Sequence, residues 1–234
     1  MSSLGANLDI QSNVRVIVYN KERRIKQQIE KHNKAGVALI QGILKFLRGE
    51  FNPSNISNEL IAHNVNGAKI YIPAYVNFGC GGLSISGSGS SKVITNNVQP
   101  TSYYDTMLQR ELVDIEHDFN RLPISKSELG TSASADNGIL NLVTYIPAGH
   151  YTNMPGSPAV SDEVAYLTEV ALYSNIFNGY KSNLGKMLAR VTFDEEPIQQ
   201  TEEDIILVQW NLGVISIDDK YWVQDKGNFG TNWV

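Results

Sequence analysis

The chain has 234 residues and a mass of 25.9 kDa, enough for one domain with arms or for two small ones. Its residues are 42% apolar and only 18% charged, so a substantial core can be buried, and a coiled coil, a collagen-like rod or a charge-rich disordered chain is excluded. A net charge of −5 and a pI near 5.4 argue against a chain built mainly to hold nucleic acid.

In chain order, residues 1–13 are polar and read as an N-terminal arm. The β-branched run Val14 to Tyr19 predicts a strand. After a charged run from Lys21 to Glu30, Ile29 to Arg48 predicts an amphipathic helix. Its residues Ile40, Ile43, Leu44 and Leu47 share one face, and Gly49 stops it. Lys69 to Phe78 reads as a buried strand, and Cys80 to Ser91 as a flexible Gly/Ser loop. Tyr103 to Arg110 predicts a short helix and Leu112 to Phe119 a strand. Ser125 to Gly138 is a polar loop, Ile139 to Ile146 a strand, and His150 to Ser161 a loop. Val164 to Tyr173 alternates and predicts one strand or two. Asn178-Gly179 signals a hairpin turn. Lys186 to Phe193, Ile205 to Trp210 and Gly213 to Ile217 complete the strands. One helix among many strands predicts a mainly β fold: an antiparallel β-sandwich over 14–217, with the helix at about 29–48, long loops and arms at both ends. The helices that a parallel α/β fold requires between strands are missing from this pattern.

The charge is segregated. Residues 1–48 hold nine Lys/Arg against three Asp/Glu, whereas residues from 161 onward hold twelve acids against five bases. The two regions are either two solvated faces or a basic front and an acidic back that attract each other between neighbouring copies. Cys80 is the single cysteine, so no intrachain disulfide forms, and folding in a reducing cytoplasm is expected. The first twenty residues lack the pattern of a signal peptide, and the uncharged stretches Ile70–Ser91 and Asn137–Ser161 are too rich in Gly or Pro to predict membrane insertion.

Several patterns resemble chemistry without meeting its requirements. Gly82 and Gly87 have the spacing of a phosphate loop, but Ser88 stands where the lysine belongs and a β-prone run follows. On a strand, His117 would point away from Glu116 and Asp118, which breaks a shared metal or acid–base geometry. His32, His63 and His150 stand alone. The runs Asp194-Glu195-Glu196 and Glu202-Glu203-Asp204 lack the alternation and glycine of a calcium loop and read as solvated turns. No nucleophile elbow occurs. The expectation is therefore a protein without catalytic residues, cofactor or metal. Asn55-Ile56-Ser57 has the form of a glycosylation acceptor, and without a secretion signal it is set aside.

Three separated segments carry a resemblance. Ala35 to Leu44 leads, after a gap, into Ile72-Pro73-Ala74-Tyr75-Val76-Asn77-Phe78-Gly79. Asp105-Thr106-Met107-Leu108-Gln109-Arg110-Glu111-Leu112 follows. Thr168-Glu169-Val170-Ala171-Leu172-Tyr173 then precedes Leu184 to Phe193, Pro197-Ile198 and Leu207-Val208-Gln209-Trp210. In this order, over roughly residues 30–217, they resemble virion structural proteins of tailed bacteriophages, the tail, neck and baseplate components. The Asn-rich, Cys-poor composition is compatible with a ring protein of a crAss-like short-tailed phage. The family's Gly-Thr-Gly turn is here Gly79-Cys80-Gly81-Gly82, and the 57–69 and 125–163 loops are enlarged.

The resemblance implies a non-enzymatic virion component made in the host bacterial cytoplasm. It would form a homo-oligomeric ring or collar that contacts portal, tail or fibre proteins. The aromatic C-terminal arm 218–234 supplies candidate subunit-interface residues Tyr221, Trp222, Phe229 and Trp233, which either dock on a neighbour or pack on the chain's own sandwich. The competing expectation is a fibre or receptor-binding adaptor that holds carbohydrate, with Tyr103, Tyr104, Tyr145 and Tyr151 stacking on sugars. A head-decoration protein is the third.

Overall fold

A computed structural model describes residues 8–34, 73–102, 104–113, 121–130, 139–154, 157–174 and 187–216. The strands are β1 (Leu8–Tyr19), β2 (Ile25–Lys34), β3 (Pro73–Gly79), β4 (Leu83–Ser86), β5 (Val93–Asn96), β6 (Leu122–Pro123) and β7 (Lys126–Gly130). They continue with β8 (Ile139–Ile146), β9 (Val160–Ser161), β10 (Val164–Leu167), β11 (Glu169–Ser174), β12 (Met187–Thr192), β13 (Ile198–Gln200) and β14 (Ile205–Ser216). The chain is mainly β, and every strand pairing is antiparallel.

Two sheets line the core. One has the order β2-β1-β14-β8-β7 and the other β12-β11-β3-β6. In the five-stranded sheet, register sets Val14 opposite Trp210, Val16 opposite Val208 and Val18 opposite Ile206, all buried. Cross-strand β-branched and aromatic pairs of this kind hold adjacent strands together. The Trp210 indole N–H donates to Ser12 Oγ at 2.5 Å, so the largest buried ring is satisfied without water. From the four-stranded sheet, Val76, Phe78, Val170, Leu172 and Val191 join the same apolar cluster. Phe78 stacks on Phe193 and meets Tyr151 edge-on. Two small sheets, β13-β10-β9 and the hairpin β4-β5, cap the ends.

The helix expected at about 29–48 is corrected over its first residues. Ile29 to Lys34 belong to β2, which pairs with β1 from Ile25 to Lys34 across a bulge at Val18/Tyr19. The charged run that seemed to open a helix is the hairpin turn: the Arg24 N–H donates to Asn20 Oδ1, and Arg23 takes a positive φ. A β1 edge with an unmet hydrogen-bond ladder outweighs weak local periodicity. The remainder of the expected helix lies outside the described residues. The first strand begins at Leu8 instead of Val14, because β14 pairs with it along its whole length.

Four other expectations change. The Gly/Ser loop is the hairpin β4-β5, whose turns use positive φ at Gly82 and Gly87. Tyr104 to Arg110 is a run of turns and not a helix. Lys126 to Gly130 is a strand paired with β8, although Ser125 to Gly138 reads as a loop. Ile205 to Ser216 is one continuous strand, because Asn211 and Leu212 pair on both sides. Val164 to Tyr173 does split in two: β10 and β11 enter different sheets at Thr168.

Candidate functional site

All six residues of β11 and all six of β12 are buried, so both faces of the four-stranded sheet are covered. Its inner face meets the core. Over its outer face lies the segment 99–113, here called the strap. Leu108 of the strap packs with Ala171, Tyr173 and Met187 in a second apolar cluster, against Tyr75. Register explains the grouping: Tyr173 sits opposite both Tyr75 and Met187, and Ala171 sits opposite Arg190.

The same face carries charge. Glu169 is fully buried, and its carboxylate accepts the backbone N–H groups of Gly81 (3.1 Å), Gln109 (3.0 Å) and Arg110 (2.8 Å). It also accepts Arg190 Nε at 2.8 Å. Arg190 donates onward to Asp105 Oδ2 at 2.9 Å and to the Gln99 carbonyl at 3.3 Å. One carboxylate and one guanidinium therefore tie the turn after β3, both ends of the strap and β12 into a single clasp. A carboxylate offers about four acceptor positions. Here they are filled, so Glu169 is built to hold backbone and not to accept a substrate proton.

A second pair flanks the first. Arg121 grips Glu111 through Nε (2.8 Å) and Nη2 (3.0 Å), and its guanidinium lies 3.5 Å from the Tyr173 ring centroid. Asn77 Nδ2 donates to Glu111 Oε1 at 2.9 Å and to the Leu112 carbonyl at 3.0 Å. The Tyr151 hydroxyl donates to Asn77 Oδ1 at 3.0 Å. Backbone pairing completes the attachment: the Cys80 N–H meets the Arg110 carbonyl at 2.9 Å, and the Leu112 N–H meets the Phe78 carbonyl at 3.1 Å. Burial drives the Tyr151 phenol well above its ordinary range. It does the same to Tyr173, reinforced by the Glu111 charge. Burial likewise raises the Cys80 thiol.

The close approach explains two glycines. A Cβ on Gly79 would stand 2.6 Å from both the Arg110 carbonyl and Glu169 Oε1, and one on Gly81 would stand 2.6 Å from the same carboxylate. Only hydrogen at these positions lets the strap and Glu169 reach the β3 turn.

The residues singled out from the sequence fall elsewhere. Tyr151 is buried, which removes it from the sugar-stacking set, whereas Tyr104 and Tyr145 are exposed. Tyr103, His63, His117 and the arm residues Tyr221, Trp222, Phe229 and Trp233 lie outside the described residues. His32 Nδ1 is 2.5 Å from Asn13 Oδ1, and the His150 ring packs edge-on against Tyr151. Asp204 is committed to its own turn and to Lys26: it accepts Thr201 N–H, Thr201 Oγ1 and Lys26 Nζ at 2.8, 2.7 and 2.6 Å. Burial alone would raise its carboxyl, yet Lys26 and Thr201 outweigh it and hold Asp204 below the usual range. Among the described residues, no group of three or more His, Cys, Asp or Glu could hold a metal, and no helix is long and apolar enough to cross a membrane.

The segregated charge has an intramolecular use. Lys21 meets Glu203 at 3.0 Å, and Lys31 meets Asp194 at 3.2 Å and Glu195 at 3.7 Å. With Lys26–Asp204, these pairs join the basic β2 hairpin to the acidic turns around β13 within one chain.

Sequence reasoning passed over Glu169, Arg190, Glu111 and Arg121. A signal existed for the first two. Each is an ionisable residue inside an otherwise apolar strand, and a charge there must find a partner. Comparison with protein-family models, with curated proteins and with solved structures finds no match for this chain.

Proposed function

We propose that this chain is a non-enzymatic structural component of a tailed-bacteriophage virion: a two-layer antiparallel β-sandwich with long loops and terminal arms that self-associates in the tail or neck region. One observation supports the reading above the others. The segments that carry the resemblance are far apart in sequence, yet Phe78-Gly79, Asp105 to Leu112, Glu169 and Arg190 meet in one clasp. Residues that recur together for the sake of a shared fold should meet in this way. The clasp also suits a load-bearing part, since it fixes a surface segment through backbone contacts and keeps its charges out of water.

On this reading the protein is made in the bacterial cytoplasm and incorporated into particles, where it contacts copies of itself and portal, tail or fibre proteins. The test is quantitative mass spectrometry of purified virions, with labelling to place the chain in the particle. Stoichiometric copies in the tail or neck are expected. A protein abundant in infected cells but missing from particles sinks the reading.

A further inference from the structure

Two groups of large apolar side chains stay in water although the rest of the apolar residues are buried. The first lies on the outer face of the five-stranded sheet. Ile25 is 57% exposed, Tyr145 54% and Ile205 39%. Register makes them one patch. Tyr19 sits opposite Ile25 on one side and opposite Ile205 on the other, and Tyr145 sits opposite Leu207. The second lies on the strap, where Tyr104 is 82% exposed, Met107 69% and Val113 48%. Exposed apolar residues scattered singly need no explanation, but neighbouring ones mark an interaction surface.

The two sheets share one core through their inner faces, so their outer faces look in opposite directions. The strap covers the outer face of the four-stranded sheet, and its patch therefore points away from the patch on the five-stranded sheet. Two different patches on opposite sides of a chain cannot cover each other within that chain. A two-fold dimer would bury one and leave the other wet. Head-to-tail contact buries both, and it is the contact type that closes into rings or extends into filaments.

We propose that copies of this chain associate head to tail, the sheet patch of Ile25, Ile205 and Tyr145 on one copy seating against the strap patch of Tyr104, Met107 and Val113 on the next. The occupant of each patch is a second copy. The rims carry opposite charge. Exposed Arg110 lies between Met107 and Val113, and exposed Glu202 lies in the turn before Ile205. Tyr, Met and Arg are the residue types enriched at interfaces. The strap also comes preorganised: Leu108 and Leu112 are buried beneath it, and the Glu169 clasp holds its backbone, so little freedom is lost on docking. The lysines of β2 already have partners within the chain, which makes the apolar patches and not the charge segregation the source of contact.

This inference rests on the assembly reading above, and the test separates the two. Mass is measured by sedimentation and light scattering across a concentration series for the full chain, for Met107→Glu and for Ile205→Glu. Circular dichroism and melting confirm that both variants fold; Tyr104→Lys and Tyr145→Lys replace any that does not. The wild type is expected to form oligomers, and each variant to associate at least tenfold more weakly. An equimolar mixture of the two variants keeps one intact patch of each kind and should give a 1:1 dimer and nothing larger. If the wild type associates and the variants match it, or the mixture yields no dimer, the head-to-tail surfaces are wrong while the assembly reading stands. A wild type that stays monomeric at every concentration overturns both.

Discussion

On the β2 hairpin, Lys21 and Glu203 are both about three-fifths exposed where they meet; over the four-stranded sheet, Arg190 and Glu169 meet with 4% and 0% of their side chains exposed. The two regions use the same chemical groups at nearly the same distance, 3.0 and 2.8 Å. Water makes the difference. An exposed pair gains little over its hydrated partners and is screened by salt. A buried pair has lost its hydration and depends wholly on its partners, so removing one partner leaves a charge stranded. The strap is therefore fixed by few residues that tolerate no loss, and the hairpin by several that do.

The largest effect should follow from Glu169→Ala. It strands Arg190 and leaves three backbone N–H groups without an acceptor. Urea denaturation should show a loss of about 3–5 kcal/mol. The paired variant Glu169→Leu with Arg190→Met should lose less than Glu169→Ala alone, because the stranded charge is gone. A double variant worse than the single one would show that the pair stabilises by attraction and not by mutual need. Next comes Gly79→Ala, whose Cβ would collide with the Arg110 carbonyl. Overpacking of this kind typically costs about 1–3 kcal/mol, and amides of the strap should lose hydrogen-exchange protection. Unchanged protection across 109–112 would mean the strap is held elsewhere.

Acid and alkali probe the two regions separately. Lys31 holds Asp194 low, Lys92 holds Asp162 low, and Asp204 is held low as described. Folded carboxylates with depressed pKa bind fewer protons than unfolded ones. Their contribution is present above about pH 4 and is lost as the pH falls further. The phenols of Tyr151 and Tyr173 are raised, so the unfolded chain releases protons first on the alkaline side. Stability is full below about pH 10 and falls above it. Tyr151→Phe should shift the alkaline limb and leave the acid limb in place; movement of the acid limb would assign Tyr151 a role beyond its hydroxyl. The smallest effect belongs to Lys21→Ala, which should leave the melting temperature unchanged at physiological salt. A clear drop there would make the hairpin pairs a structural network.

Much of the strand pattern was readable from the residues. Ile139 to Ile146 and Met187 to Thr192 carry β-branched or apolar runs bounded by turn residues, and they form strands at those positions. Strand β2 was not readable. Ile25 to Lys34 is polar because its outer face is solvated and its long side chains reach Glu203, Asp204 and Asp194. Only the unpaired edge of β1 makes it a strand. The clasp was half readable: Glu169 and Arg190 are anomalous within apolar strands, but nothing local says that Asp105 and the amides of 109–110 are their partners.

The sequence by itself determined that this is a β-rich chain with a large apolar core, because period-two alternation and β-branched runs are local properties that any partner strand can use. Tertiary structure decided where the charges go. The distance in sequence between Lys21 and Glu203, or between Gly81 and Glu169, is erased by antiparallel register, and whether a carboxylate lies in water or under a strap is fixed only once the sheets have packed.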